Sequence, residues 1–265
     1  MRFLFLLCCF SAIAVAQPAN FSNAWEFVGP DDKPDSPKKV SACGIGPIEF
    51  IRVHPKNPDY LLAGSISGGL FISEDNGDNW INAGSDRWDY SGCAWADFFP
   101  EKEDTWFAYS NLAGNNGKPG NMGALGGILR TTNAGTTWEH IADVAALGSP
   151  YVAVYGFRFL PQNPKVLFVL TNDGLFYTKD CLAASVVWEK HSVIAGVVYD
   201  LDFIGDMAYV CAQQFGKWNV FEFSFENMSQ QVLAPVAELK EDKRNITCQA
   251  LGENLLVLID YSKLN

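Results

Sequence analysis

Positive charge is scarce in this chain of 265 residues. It carries 19 lysines and arginines against 30 aspartates and glutamates, a formal net charge of −11. Nucleic acid and anionic lipid surfaces are held by basic patches, so the deficit argues against both as partners. Histidine is scarcer still: the 3 in the chain, His54, His140 and His191, stand alone, without the partner spacing of a catalytic triad or a zinc site. No Cys-x-x-Cys or Cys/His spacing occurs, so no metal is expected. A phosphate-cradling glycine loop is also lacking, and no cofactor is expected. Beyond the N-terminus, no apolar run reaches the roughly 18–20 residues that cross a bilayer.

What is abundant is apolar surface. Hydrophobic residues make up 48% of the chain and aromatic ones 14%, enough to bury a substantial core and to argue against disorder. Met1–Gln17 reads as a secretory signal, with Arg2, an apolar run from Phe3 to Val15, and Ala14-Val15-Ala16 as the small-residue cleavage site. Residues 1–16 are therefore expected to be removed, leaving a secreted or cell-surface protein with no membrane insertion. Cys8 and Cys9 lie inside this run and are too poorly flanked for a lipoprotein site. Residues 17–40 form a polar lead-in that offers Trp25 and Phe27 as anchors. Among the five later cysteines (Cys43, Cys93, Cys181, Cys211 and Cys248) four could pair, or all could be small buried hydrophobes. The Asn-x-Ser/Thr sites at Asn20, Asn227 and Asn245 matter only in a eukaryotic host.

One octapeptide is repeated. Ser73-Glu74-Asp75-Asn76-Gly77-Asp78-Asn79-Trp80 and Thr131-Thr132-Asn133-Ala134-Gly135-Thr136-Thr137-Trp138 both fit Ser/Thr-x-Asp/Asn-x-Gly-x-x-Trp. Such a unit predicts a hairpin turn: hydroxyl and Asx side chains bond backbone amides, and glycine takes a positive φ. The tryptophan ties the turn to the core. Around each octapeptide lie short strands, with the first unit over Glu49–Val53, Tyr60–Gly64 and Gly69–Ser73 and the second over Ala94–Phe99, Thr105–Ser110 and Gly127–Thr131. A third unit begins at Val154, with Val166–Leu170 and Gly174–Thr178, and keeps Thr178, Asp180 and Trp188 of the turn. A fourth starts at Tyr199, and a fifth opens at Ile246–Ile259. Repeats of four short strands are the mark of propeller blades.

The octapeptide resembles the Asp-box, or BNR repeat, of sialidases, xyloglucanases and sortilin-like receptors. The stretch Phe50–Pro58 followed by Ala63–Ser73 is similar to the opening blade of bacterial proteins exported by type IX secretion. The resemblance implies an all-β fold, a β-propeller of four-stranded blades over residues 41–265. About four blades and the start of a fifth are expected, as the N-terminal part of a larger propeller. It also implies that Ser73, Asp75, Gly77, Trp80, Thr131, Asn133, Gly135 and Trp138 stabilise blades and do not touch substrate. Export machinery is an implied partner.

The same resemblance lets enzyme readings be checked residue by residue. None of Arg52, Arg87, Arg130 or Arg244 lies in the Phe/Tyr-Arg-Ile-Pro motif of sialidases. Where xyloglucanases carry a catalytic Asp, this chain has Ile66, in Ser65-Ile66-Ser67-Gly68-Gly69. The expected function is thus a non-catalytic propeller that binds a glycan or a protein partner. The alternatives are a divergent glycoside hydrolase, with Asp86, Asp89 and Asp97 as the acids to examine, and structural blades of a large adhesin.

Two segments are expected on the face opposite the octapeptide turns. Leu112–Gly126 contains Asn115 and Asn116, and Ser85–Tyr90 interleaves Arg87, Trp88 and Tyr90 with acids. Aromatic faces stack on sugar rings and amides or carboxylates bond their hydroxyls, so these are the ligand candidates. An ordinary surface connection, with Trp88 covering the blade edge, is the plain alternative. Counting three residues back from each strand-ending Pro, or from Gly205, gives Arg52, Asp97, Arg158 and Asp202. Alternating signs predict charge pairing around a central channel, or else a polar mouth for a ligand.

Overall fold

The structure, a computed structural model, describes residues 5–6, 46–90, 92–111, 126–148, 152–215, 217–225, 230–235 and 245–260. A two-residue strand, β1 (Phe5–Leu6), comes first. Four antiparallel four-stranded sheets follow, each ordered as in the sequence. The first holds β2 (Ile48–Val53), β3 (Leu61–Ser65), β4 (Gly69–Ser73) and β5 (Ile81–Asn82). The second holds β6 (Gly92–Phe98), β7 (Trp106–Asn111), β8 (Gly126–Thr131) and β9 (Glu139–Asp143). The third holds β10 (Val154–Leu160), β11 (Asn163–Thr171), β12 (Gly174–Thr178) and β13 (Glu189–Lys190). The fourth holds β14 (Val197–Ile204), β15 (Met207–Gln214), β16 (Lys217–Ser224) and β17 (Gln230–Pro235). A fifth unit is the hairpin of β18 (Asn245–Leu251) and β19 (Asn254–Asp260), with β1 parallel to β19. No α-helix occurs among the described residues, and none is long and apolar enough to cross a membrane.

These sheets are the blades of a β-propeller, as the repeats predict. Their first strands are neighbours in series, β2 beside β6, β6 beside β10, β10 beside β14 and β14 beside β18. The middle strands read as unbroken apolar runs, Gly69-Leu70-Phe71-Ile72-Ser73 and Gly174-Leu175-Phe176-Tyr177-Thr178, and every residue in them is buried. A strand covered on both faces needs such a run. The core is accordingly a set of layers between blades. Phe50, Leu62 and Leu70 of the first blade meet Phe98 and Trp106 of the second. Phe107 and Ile128 of the second meet Phe157 and Val169 of the third. Phe168 and Leu175 of the third meet Leu201 and Phe221 of the fourth.

The innermost strands of the first four blades each carry a bulge at the same place. The register slips between Ile48 and Phe50, Cys93 and Trp95, Val154 and Gly156, and Val198 and Asp200. Glu49, Ala94, Tyr155 and Tyr199 are therefore the extra residues, and the bulge bends each strand and re-aims the side chains that follow.

Candidate functional site

The octapeptide turns take the expected form. Ser73 Oγ accepts the Gly77 amide at 2.8 Å and donates to Asp75 Oδ1 at 2.8 Å, while Asp75 Oδ1 also accepts the Asn79 amide. In the second copy Thr131 Oγ1 accepts the Gly135 amide at 3.0 Å and donates to Asn133 Oδ1, which accepts the Thr137 amide. Gly77 and Gly135 have φ of 97° and 78°, and Asn76 and Ala134 before them are also positive. The tryptophans differ. Trp80 Nε1 donates to Gly77 O of its own turn at 2.9 Å, whereas Trp138 Nε1 reaches Ala83 O of the first blade at 2.8 Å. Trp188 likewise donates to Ile141 O of the preceding blade. From the second unit on, the tryptophan joins two blades.

That joint builds a cleft. β5 ends after two residues, so the chain must climb the side of the second blade from Ala83 to reach β6. Its foot lies on the second octapeptide turn: Arg87 Nη1 donates to Thr136 O at 2.8 Å, and the Trp88 ring meets Trp138 edge to face at 5.1 Å. Its head is held where Ser110 Oγ donates to Tyr90 O at 2.8 Å. Ser85–Tyr90, expected on the face opposite the turns, lies elsewhere: Arg87 and Trp88 rest on a turn, and Tyr90 reaches toward the other end of the blade. Between this segment and the second blade lies a cleft of about 360 Å³, whose wall includes Arg87, Trp88, Asp89, Tyr90, Trp138 and His140. Trp88 packs half-buried against the first inter-blade layer and also lines the cleft. Asn115 and Asn116 lie outside the described residues. Trp138 and His140 line the cleft without a signal in the sequence: the repeat places Trp138 in the turn, and His140 carries no motif.

The inner-strand charges share one register. Arg52, Asp97, Arg158 and Asp202 each sit two residues after the first paired residue beyond the bulge. Arg52 Nε is 4.0 Å from Asp97 Oδ2, and its guanidinium lies 3.8 Å from the centre of the Trp95 ring. Arg158 does not pair with Asp202. It donates to Asp200 Oδ1 at 2.6 Å, and Asp202 Oδ2 instead accepts the Ala250 amide at 2.7 Å. Asp200 and Asp202 stand two residues apart on β14 and so share one face, which offers Arg158 either carboxylate. Burial pushes the Asp97 carboxyl up to about 6, outweighing the pull of Arg52 and Arg158. At the bulges Tyr155 and Tyr199 stack at 5.8 Å, and Tyr199 continues onto Trp218 at 4.9 Å.

The three acids lie in three different surroundings. Asp86 is exposed and accepts from Asn82 Nδ2 at 3.1 Å, Asp89 is exposed on the cleft rim, and Asp97 lies on an inner strand beside Arg52. A hydrolase needs two carboxyls flanking one glycosidic bond, about 5–9.5 Å apart. What the cleft presents is an aromatic wall with one cation, one anion and an imidazole, a lining suited to holding a polar ligand.

No protein-family model and no curated protein matches the chain. Solved structures do. An ancestral GH74 enzyme superposes with a TM-score of 0.58 at 16% identity, over 76% of this chain and 27% of the other. The GH74 enzyme of Niastella koreensis gives 0.52 at 13% identity, over 72% and 30%. A YCF48 bound to a D1 peptide gives 0.53 at 14% identity, over 82% and 63%. At such identities the likeness shows the fold, a β-propeller. The chain spans less than a third of either GH74 chain and 63% of the YCF48 chain.

Proposed function

We propose that the chain is an exported, non-catalytic β-propeller that binds a glycan in the cleft under Trp88, outside the cell or at its surface. The observation that carries the reading is the cleft wall itself: Trp88, Trp138 and Tyr90 offer ring surfaces, while Arg87, Asp89 and His140 offer hydrogen bonds. Sugars present both an apolar ring face and hydroxyls, and this pairing of groups recognises both. Export rests on the N-terminal signal sequence and on the likeness of the first blade to type IX cargo, whose machinery would be a transient partner. The Asp-box reading of the two turns agrees with their hydrogen bonds.

A protein partner is the second reading, favoured by the likeness to YCF48, which is bound to a peptide. Glycoside hydrolysis is the reading that the GH74 likeness favours, and it requires a second carboxyl facing Asp86, Asp89 or Asp97. A glycan array probed with the full chain, followed by assay of any hit for reducing-end release, separates them. Binding without release is expected, weakened at least tenfold by Trp88→Ala and by Asp89→Ala, whose side chain is exposed on the cleft wall. Release of reducing ends would establish the hydrolase, and silence on every glycan would overturn the glycan reading in favour of a protein ligand.

A further inference from the structure

Cys211 lies on β15 of the fourth blade and Cys248 on β18 of the fifth, and both belong to the layer that joins these blades. Both are buried, at 0% and 6% exposure. Three contacts bring them together. Cys211 pairs across the ladder with Asp200, whose carboxylate accepts the Cys248 amide at 3.1 Å. The Cys248 thiol donates to Tyr209 O at 3.5 Å, and Tyr209 stands two residues before Cys211 on the same face of β15. The Cys211 thiol is near enough to act on the Cys248 thiol, and with burial it pushes that thiol far up. The other described cysteines face no thiol: Cys93 donates to Trp95 O and Cys181 to Pro164 O, each in a different layer.

We propose that Cys211 and Cys248 form a disulfide that staples the fifth blade to the fourth when the chain folds under oxidising conditions. The fifth unit has three strands where each other blade has four, and one of the three is the two-residue β1, so a cross-link is worth most there. It would also hold the β18 amides of Cys248 and Ala250 on Asp200 and Asp202, and with them the Arg158–Asp200 pair. The oxidant is a disulfide, of a small thiol carrier or of a protein. One cysteine thiolate attacks it, expels one of its thiols and forms a mixed disulfide. The second cysteine thiolate then attacks the protein-bound sulfur and expels the other thiol. The two cysteine protons end on the two released thiols. Because both sulfurs are buried in the folded chain, the exchange precedes docking of β18. Nothing in this step depends on the ligand of the cleft.

The test is to refold the full chain with a mixture of reduced and oxidised glutathione, then to unfold it in an alkylating agent without reductant and map the peptides by mass. The expected result is one peptide pair joining Cys211 to Cys248, lighter by two hydrogens than the reduced sum and split by reductant. The melting temperature should fall by about 5–10 °C when the bond is reduced. In Cys211→Ala the melting temperature should lose its dependence on reductant, and Cys248 should be alkylated. Alkylated Cys211 and Cys248 in the wild-type chain, or either one joined to a different cysteine, would overturn the proposal.

Discussion

His54 and His191 are the residues whose placement has the clearest consequence in solution. Each is 2% exposed, and each Nδ1 accepts two backbone amides, from Lys56 and Asn57 in one turn and from Val193 and Ile194 in the other. An Nδ1 that accepts is unprotonated, so the neutral ring is the form that fits. Burial lowers both pKa values below 6.5, although Glu103 pulls His54 back in part. The unfolded chain takes up a proton near pH 6.5 while the folded chain resists it. Stability is therefore complete above about pH 6.5 and declines as pH falls below that value. Asp97, raised to about 6, works the other way, because the folded state binds its proton first as pH falls. In an Asp97→Asn background, urea midpoints measured from pH 7.5 to 5 should show a loss on the order of 1 kcal/mol. His191→Asn, which keeps an acceptor and removes the titration, should make the slope shallower.

At the scale of elements, the contact that shapes the cleft is between two backbones. Gly84 has φ of 80°, and a Cβ there would collide with Gly135 O. Gly135 has φ of 78°, and a Cβ there would come within 2.6 Å of Ala83 O. The climbing segment can lie on the second turn only because neither residue has a side chain. Gly84→Ala should therefore cost about 2 kcal/mol or more in chemical denaturation. It should also weaken ligand binding, because Arg87 and Trp88 follow the displaced backbone. A loss of stability without a loss of binding would show that the cleft tolerates the shift.

Across the whole molecule, the blades are held at the channel by a carboxylate that serves three of them. Asp200 of the fourth blade accepts Arg158 of the third at 2.6 Å and the Cys248 amide of the fifth at 3.1 Å, besides its neighbour Leu201. It is 8% exposed, and removing the carboxylate leaves the part-buried Arg158 guanidinium with only the carbonyls of Phe157 and Leu201. Asp200→Ala should cost about 3–5 kcal/mol. Amide exchange should show the Cys248 region opening before the first three blades do.

The amino-acid sequence by itself determined the blades. Strand runs, glycine positions and the Ser/Thr-x-Asp/Asn-x-Gly-x-x-Trp turn are local chemistry, complete within eight residues, and they place β4, β8 and β12 within a residue of where the structure has them. The alternation of Arg52, Asp97 and Arg158 on the inner strands was legible for the same reason, being a matter of position in a repeat. What tertiary structure alone decided was which groups meet. Arg158 takes Asp200 rather than Asp202, Trp138 bonds Ala83 rather than its own turn, and Arg87 finds Thr136, contacts that span 42 to 55 positions in the chain. Each depends on how closely neighbouring blades approach one another. No pattern within one blade encodes that geometry, because the partner group comes from the next.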